Sequence, residues 1–297
     1  MTIAVVHIGL PKTGTTSFQS ACRSHADALA DAGVLYPLDD WLTFGDALQH
    51  QALAVRLSRG TPESIEEDVR HLREMAEGYD TLLLSAERMA ALLHEPTNAP
   101  RMRAFRESLN RHFDRVEFVC AIRADRSILK STLKTKIDGQ GMRADGSAQI
   151  RREIAGFYFM NRAIVETFGD QLKVLRFEDL VVDRFPRSLF RACVGFDLDL
   201  PEERRNSSDR KDATRFLLSN IRLLLVQVLG EPTPNTPKVN RATREFEQGI
   251  AISPEVHTRL REMIDGWIEK EVDAALQDNQ ESLEAIYASY LAPAARG

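Results

Sequence analysis

The sequence predicts an α/β protein, a three-layer α/β/α fold with a central parallel sheet and a helical C-terminal third. Three observations predict it. Short β-branched or apolar runs alternate with segments of helical period, the first such run ends in a glycine loop that opens a helix, and after about residue 200 the strand pattern stops. Strands separated by helices imply crossover connections, hence a parallel sheet with helices on both faces.

The elements follow in order. Residues 3–8 are a β-branched run ending at Gly9, and Phe18, Cys22, His25 and Leu29 keep helical spacing from about Thr15 to a stop at Gly33. A second helix is predicted over 62–77, with Thr61 as N-cap, Pro62 in the first turn and Gly78 as the stop. Residues 80–85 read as a buried strand, 100–113 as a helix, 116–122 as an apolar strand and 125–137 as the helix directly after it. Residues 172–177 give a further strand, followed by Glu178, Asp179 and a helix over about 185–193. Beyond it, 211–229 and 254–276 look helical, and the Pro-, Thr- and Asn-rich residues 231–240 read as a loop between them. The expectation is a single domain over 1–297, with a core of about 1–215, a helical extension of about 216–297 and a frayed end at 292–297.

Composition narrows the function. The 297 residues are 43% hydrophobic and 28% charged, ordinary for a globular chain with a large core. A formal net charge of −5 argues against a general nucleic-acid partner, which needs a basic surface, and leaves room for one local positive pocket around a compact anion. No basic leader precedes the first strand, and no apolar run approaches the roughly 20 residues of a membrane span. The protein is therefore expected to be cytoplasmic, with no integral membrane segment. Cys22, Cys120 and Cys193 lack CxxC or CxxH spacing, which argues against a zinc site or a disulfide framework and for reduced, mostly buried thiols.

The informative segment is Gly9-Leu10-Pro11-Lys12-Thr13-Gly14-Thr15-Thr16, between a predicted strand and a predicted helix. Such a turn aims backbone N–H groups and a helix N-terminus at an anion. Lys12 adds a full positive charge, and the hydroxyls of Thr13, Thr15 and Thr16 can donate to phosphate oxygens. The loop is P-loop-like without being a Walker A sequence, because GxxxxGK[ST] would place the lysine where Thr15 stands. With its lysine inside the loop and Gly-Thr-Thr after it, the segment resembles the PKxGTT loop of sulfotransferases that use 3′-phosphoadenosine 5′-phosphosulfate (PAPS). The start HIGLPKTGTTSFQ is most similar to bacterial members of the carbohydrate-modifying type.

That resemblance implies a donor site. Pro11, Lys12, Thr13, Gly14, Thr15 and Thr16 would hold the 5′-phosphosulfate. Arg123 closes the 116–122 strand and Ser131 follows eight residues on, which resembles the family's 3′-phosphate motif. A forked, permanently charged guanidinium and a hydroxyl about two helical turns further along suit that anion. LKVLRFEDL at 172–180 is similar to the family's mid-domain strand and Glu-Asp-Leu turn and reads as structural. NSSDRK at 206–211 lies where the family has a late basic loop, but the family's Arg-Lys-Gly is not present in that form. Arg210 and Lys211 are carried as cofactor contacts, with a solvated basic pair as the alternative. The likeness covers about residues 3–215.

Sulfonate transfer from such a donor asks for positioning, for neutralisation of the leaving phosphate and for removal of the acceptor's proton. Lys12 and the loop N–H groups answer the first two, and the product is 3′,5′-adenosine bisphosphate. The leaving group is already a stable phosphate, so this reading needs no metal. For the base, Glu87 beyond the strand at 80–85 is placed ahead of His50, which follows the first helix, and His7 reads as a core histidine. Ser85 shares the face of Glu87 and could orient the acceptor. The glycine-rich residues 138–146 read as an acceptor lid or a solvent loop, and Phe157, Tyr158 and Phe159 as core rather than a sugar platform. The acceptor implied is a hydroxyl or amine of a carbohydrate, glycolipid or small metabolite. Two other readings stand beside this one. A small-molecule kinase with an irregular P-loop would need Mg²⁺ and an acidic strand end, where this chain has Ser85 and Arg123; an inactive sulfotransferase-like binding protein would be expected to lack Lys12 or the base candidates.

Overall fold

The apolar runs become five strands, β1 (Ile3–His7), β2 (Val34–Leu35), β3 (Thr81–Ser85), β4 (Arg115–Ile122) and β5 (Leu172–Arg176). All pair in parallel, in the order β2-β3-β1-β4-β5. The computed structural model describes residues 1–43, 50–140, 146–197, 229–230, 236–247, 254–278 and 282–291. A parallel sheet covered on both faces needs strands that are apolar throughout, and every residue of β3 is buried, as are all of β1 after Ile3.

Strand alternation sends the two sets of side chains into two cores. On one face Val5, Leu83, Val119 and Ala121 meet Phe18 and Cys22 of α1 (Thr15–Ser24), Leu29 of α2 (Ala26–Asp31), Leu180 of α9 (Phe177–Val182) and Leu189, Phe190 and Cys193 of α10 (Arg187–Val194). On the other, Phe118 stacks on Phe168, the last residue of α8 (Gly146–Phe168), with ring centres 4.1 Å apart. Helices α3 (Gln51–Arg59), α4 (Pro62–Met75), α5 (Glu87–Leu92) and α6 (Ala99–His112) fill the connections around β3 and β4. All three cysteines are buried and free. The architecture is the three-layer α/β/α fold, with β1 in the middle of its sheet.

The chain divides into two compact units, Met1–Ala124, Phe157–Asn206 and Glu281–Gly297 in one, Asp125–Gly156 and Ser207–Gln280 in the other. The first unit contains the whole sheet. Its last helix, α13 (Leu283–Ile286), leads back to the sheet edge, where the Val174 N–H donates to the Tyr290 carbonyl at 3.1 Å. That pairing covers part of an exposed strand edge. The buried Tyr287 hydroxyl donates to Asn161 Oδ1 at 2.8 Å and pins the segment. In the second unit, α7 (Asp125–Gln140) and α12 (Pro254–Asp278) are joined by the ion pairs Arg126–Asp273, Lys130–Glu269 and Lys134–Asp265. Residue numbers rise on one helix as they fall on the other, so the two run antiparallel.

Several expectations are corrected. The helix expected to run from Thr15 to Gly33 breaks at His25, whose backbone leaves the helical region and whose Nδ1 lies 3.0 Å from the Ala21 carbonyl of its own helix. A side chain bonding its own turn competes with the next one. The stretch 231–240 is not all loop, since α11 (Pro237–Glu247) begins within it; the Thr236 hydroxyl accepts from the Val239 N–H and caps the helix behind Pro237. Residues 138–140 end α7 and Gly146 opens α8, while 141–145 lie outside the described residues, as do 292–297 and all of 211–229 except Leu229. The capping of α4 matches the sequence reading. Thr61 accepts from the Ser64 N–H, and Ser64 answers by accepting from the Thr61 N–H.

Candidate functional site

The sheet order locates the site. From β1 the chain goes to one side for β2 and β3 and to the other for β4 and β5, so the carboxyl end of β1 is the switch point at which open α/β sheets bind ligands. Gly9 to Thr16 leaves β1 there, Glu87 follows β3 and Arg123 follows β4.

The loop owes its shape to two left-handed residues. Gly14 is the N-cap of α1 at φ 76° and gives it no side-chain cap, so the N-terminus of α1 begins directly at the loop, with the Ser17 N–H donating to the Gly14 carbonyl at 3.0 Å. Lys12 adopts φ 67°, a conformation an L side chain resists at a cost of about 1–2 kcal/mol. Strain of that kind clusters at ligand sites. Thr13, wholly buried, donates its hydroxyl proton to the Leu10 carbonyl at 2.8 Å. Its oxygen closes the loop, and its proton is not turned to an anion as the sequence reading had it. Pro11 and Thr16 are half-buried beside it.

Glycine is required at two positions. A Cβ on Gly9 would stand 2.4 Å from Thr15 Cγ2 and 3.0 Å from Glu87 Cα, so its absence lets β1, α1 and α5 converge. A Cβ on Gly14 would lie 2.5 Å from the Phe185 ring and 3.1 Å from that of Phe177. Gly14→Ala therefore combines left-handed strain with overpacking against two rings and is expected to cost about 2–4 kcal/mol. A thermal melt should show a drop of several degrees; an unchanged transition would contradict this packing.

Four of the candidate residues meet here. Thr15 donates to Glu87 Oε2 over a long 3.4 Å, and Glu87, the first residue of α5, is half-buried. Burial pushes its carboxyl above the ordinary carboxylate range, opposed by the Lys12 charge and the Thr15 hydrogen bond. Arg123, half-buried, donates from Nη1 to the Lys12 carbonyl at 3.4 Å. Two cationic side chains from separate segments thus converge on a loop of helix-end N–H groups, with a carboxylate alongside. The cradle suits a phosphate-like anion on geometry: two left-handed residues turn the loop onto the N-terminus of α1, and the Arg123 and Lys12 charges adjoin it. Among the described residues no group of three or more His, Cys, Asp or Glu side chains could hold a metal ion, and no helix could cross a membrane.

The remaining candidates lie elsewhere. His50 is not the accessible histidine expected of a base. It is fully buried at the start of α3, its Nε2 donates to the Pro37 carbonyl at 2.8 Å, and its Nδ1 accepts the Ser85 N–H at 2.9 Å. Both ring nitrogens are committed to backbone, so no lone pair remains for an acceptor's proton. Ser85 is also buried, and its hydroxyl oxygen lies 2.8 Å from His7 Nδ1 while accepting from Gln19 Nε2 at 3.0 Å. It faces this network beneath the loop, not an acceptor. Ser131 lies on α7 in the second unit, and Arg210 and Lys211 lie outside the described residues.

Sequence reasoning overlooked Gln19, Phe177 and Phe185. Gln19 stands one turn after Thr15 on the same helix face, a spacing that could have revealed it. The two phenylalanines carry no such signal, because their contacts depend on strand register.

The buried histidines carry a pH prediction. Burial pushes His50 down to about 4, partly offset by its bond to the Pro37 carbonyl, and His7 down to about 3. An unfolded chain protonates both near 6.5, whereas the folded chain does not until about 4 and 3. Folded stability is therefore full above pH 6.5 and is lost as pH falls, with a slope approaching two protons. Urea midpoints measured from pH 8 to 5 should hold to about 7 and then fall; a flat profile down to pH 5 would contradict the burial.

A comparison with models of protein families gives no match, and neither does a comparison with curated proteins. Among solved structures, the sulfotransferase domain from the Synechococcus PCC 7002 olefin synthase covers 84% of this chain and 96% of its own length, at 17% identity and a TM-score of 0.40. The sulfotransferase domain from the curacin biosynthetic pathway covers 82% and 96%, at 14% identity and a TM-score of 0.38. Likeness at that level does not assign the chain to a family.

Proposed function

We propose that this chain is a sulfotransferase that moves a sulfonate from PAPS to a hydroxyl or amine of a carbohydrate, glycolipid or small metabolite. The observation that carries the reading is the convergence of Lys12, Arg123 and the uncapped N-terminus of α1 on one loop at the switch point of the sheet, with Glu87 beside it. When bound, the donor supplies a sulfonate already activated on a phosphate leaving group.

The chain's own residues then have three tasks. Lys12 and the first-turn N–H groups hold the 5′-phosphosulfate and offset the charge that grows on the leaving phosphate. Arg123 holds the 3′-phosphate through its forked donors. Glu87 takes the acceptor's proton. Burial raises its pKa and so makes it a stronger base than a free glutamate, with the Lys12 charge and the Thr15 hydrogen bond opposing that rise. His50, with both nitrogens bonded, is left to hold the 50s segment against β3.

Sulfur-labelled PAPS, incubated with a panel of carbohydrate and small hydroxyl acceptors in EDTA, tests the proposal. Label transferred to an acceptor with release of 3′,5′-adenosine bisphosphate is the expected result. Phosphoryl transfer from ATP with Mg²⁺, and none from PAPS, would replace this reading by a kinase.

A further inference from the structure

At the carboxyl end of the sheet the ladder pairs Ile122 with Arg176. Arg123 and Phe177, one residue further on each strand, therefore leave β4 and β5 side by side. The Arg123 guanidinium carbon stands 5.6 Å from the centre of the Phe177 ring, within the roughly 6 Å at which an aromatic face attracts a cation. The next pair continues the sequence, since the Ala124 N–H donates to Glu178 Oε1 at 3.2 Å. Two successive residues beyond β4 are thus matched to two beyond β5.

The ring itself is braced. Phe185 meets Phe177 edge-on, with centres 5.7 Å apart and planes at 66°, and Phe185 packs against the buried cluster that holds Phe18, Leu180 and Leu189. Both rings also reach the left-handed Gly14 of the anion loop. One aromatic pair therefore touches the loop and the arginine together. Arginine has a long, flexible stem, and a group fixed before its ligand arrives loses less freedom on binding.

We infer that Phe177, braced by Phe185, is a positioning residue that holds the Arg123 guanidinium at the anion loop and so sets the preference for a nucleotide bearing a 3′-phosphate. The inference rests on the donor reading above. It assigns Phe177 no chemistry of its own. A leucine or methionine there fills similar space without a π face, whereas tyrosine keeps the face.

The test is a calorimetric titration of adenosine 3′,5′-bisphosphate and of 5′-AMP into wild type, Phe177→Leu, Phe177→Met, Phe177→Tyr, Arg123→Ala and the Arg123→Ala/Phe177→Leu double variant, with thermal melts alongside. The expected result is that Phe177→Leu or Phe177→Met, whichever melts with wild type, loses about threefold to thirtyfold of the preference for the bisphosphate while its 5′-AMP affinity holds. Phe177→Tyr should keep the preference, and the double variant should lose no more than Arg123→Ala alone. Equal weakening of both nucleotides, or an unchanged preference in the Leu and Met variants, overturns the inference while leaving the donor reading intact. A wild type that does not distinguish the two nucleotides overturns both.

Discussion

Glu87→Gln is expected to lower kcat for sulfonate transfer by about 10²–10⁴, while bisphosphate affinity stays within about threefold of wild type. The amide keeps the shape of the side chain and can still accept from Thr15, so the loop should stand. It cannot take a proton. The carboxylate is half-buried and its pKa is raised by that burial, so the acidic limb of the wild-type rate profile should lie above the ordinary 4.5 of a glutamate. Activity depends on the deprotonated form and is lost as pH falls through that limb. In Glu87→Gln the limb should vanish along with most of the rate. A variant that turns over like wild type would remove Glu87 from the chemistry, and His50, whose lone pair is held by the Ser85 N–H, is not placed to replace it.

Lys12 carries the second large effect. Lys12→Ala is expected to cut kcat by about 10²–10³, the range for removing one donor aimed at developing charge, and to weaken the bisphosphate as well. Because Lys12 sits at φ 67°, stability and activity should part company in a companion variant. Lys12→Gly has the same missing charge but relaxes into that backbone conformation without a Cβ. It should melt at or above the wild-type temperature, the strain released being about 1–2 kcal/mol, and be as inactive as Lys12→Ala. A Lys12→Gly protein that kept its activity would mean the ammonium is dispensable and the loop backbone suffices.

How much could be read in advance follows from how far apart the determinants lie. The strand-loop-helix unit at Gly9 to Thr16 was legible because its apolar run, its glycines and its helix period are all local. So were the long strands and the capped helix behind Thr61. The two-residue β2 was not, since Val34 and Leu35 are too few to show a period and are defined by pairing with Thr81 and Leu82. Nor could the sequence show that His50 is buried, because its partners Pro37 and Ser85 come from a loop and from the end of β3. The same holds for Thr13, whose hydroxyl looked like a phosphate donor by composition and is spent on the Leu10 carbonyl. The meeting of Phe177 with Arg123 depends on the β4–β5 register, which no residue pattern states.

The proposed site takes a nucleotide carrying both a 5′- and a 3′-phosphate without a metal, and is built on Lys12 and Arg123. Calorimetry of adenosine 3′,5′-bisphosphate against ATP, without and then with Mg²⁺, for wild type and Arg123→Ala tests it most directly. Binding of the bisphosphate in preference to ATP without metal, with the preference lost in Arg123→Ala, is the expected result. Tighter binding of ATP that requires Mg²⁺ and is indifferent to Arg123 would contradict it.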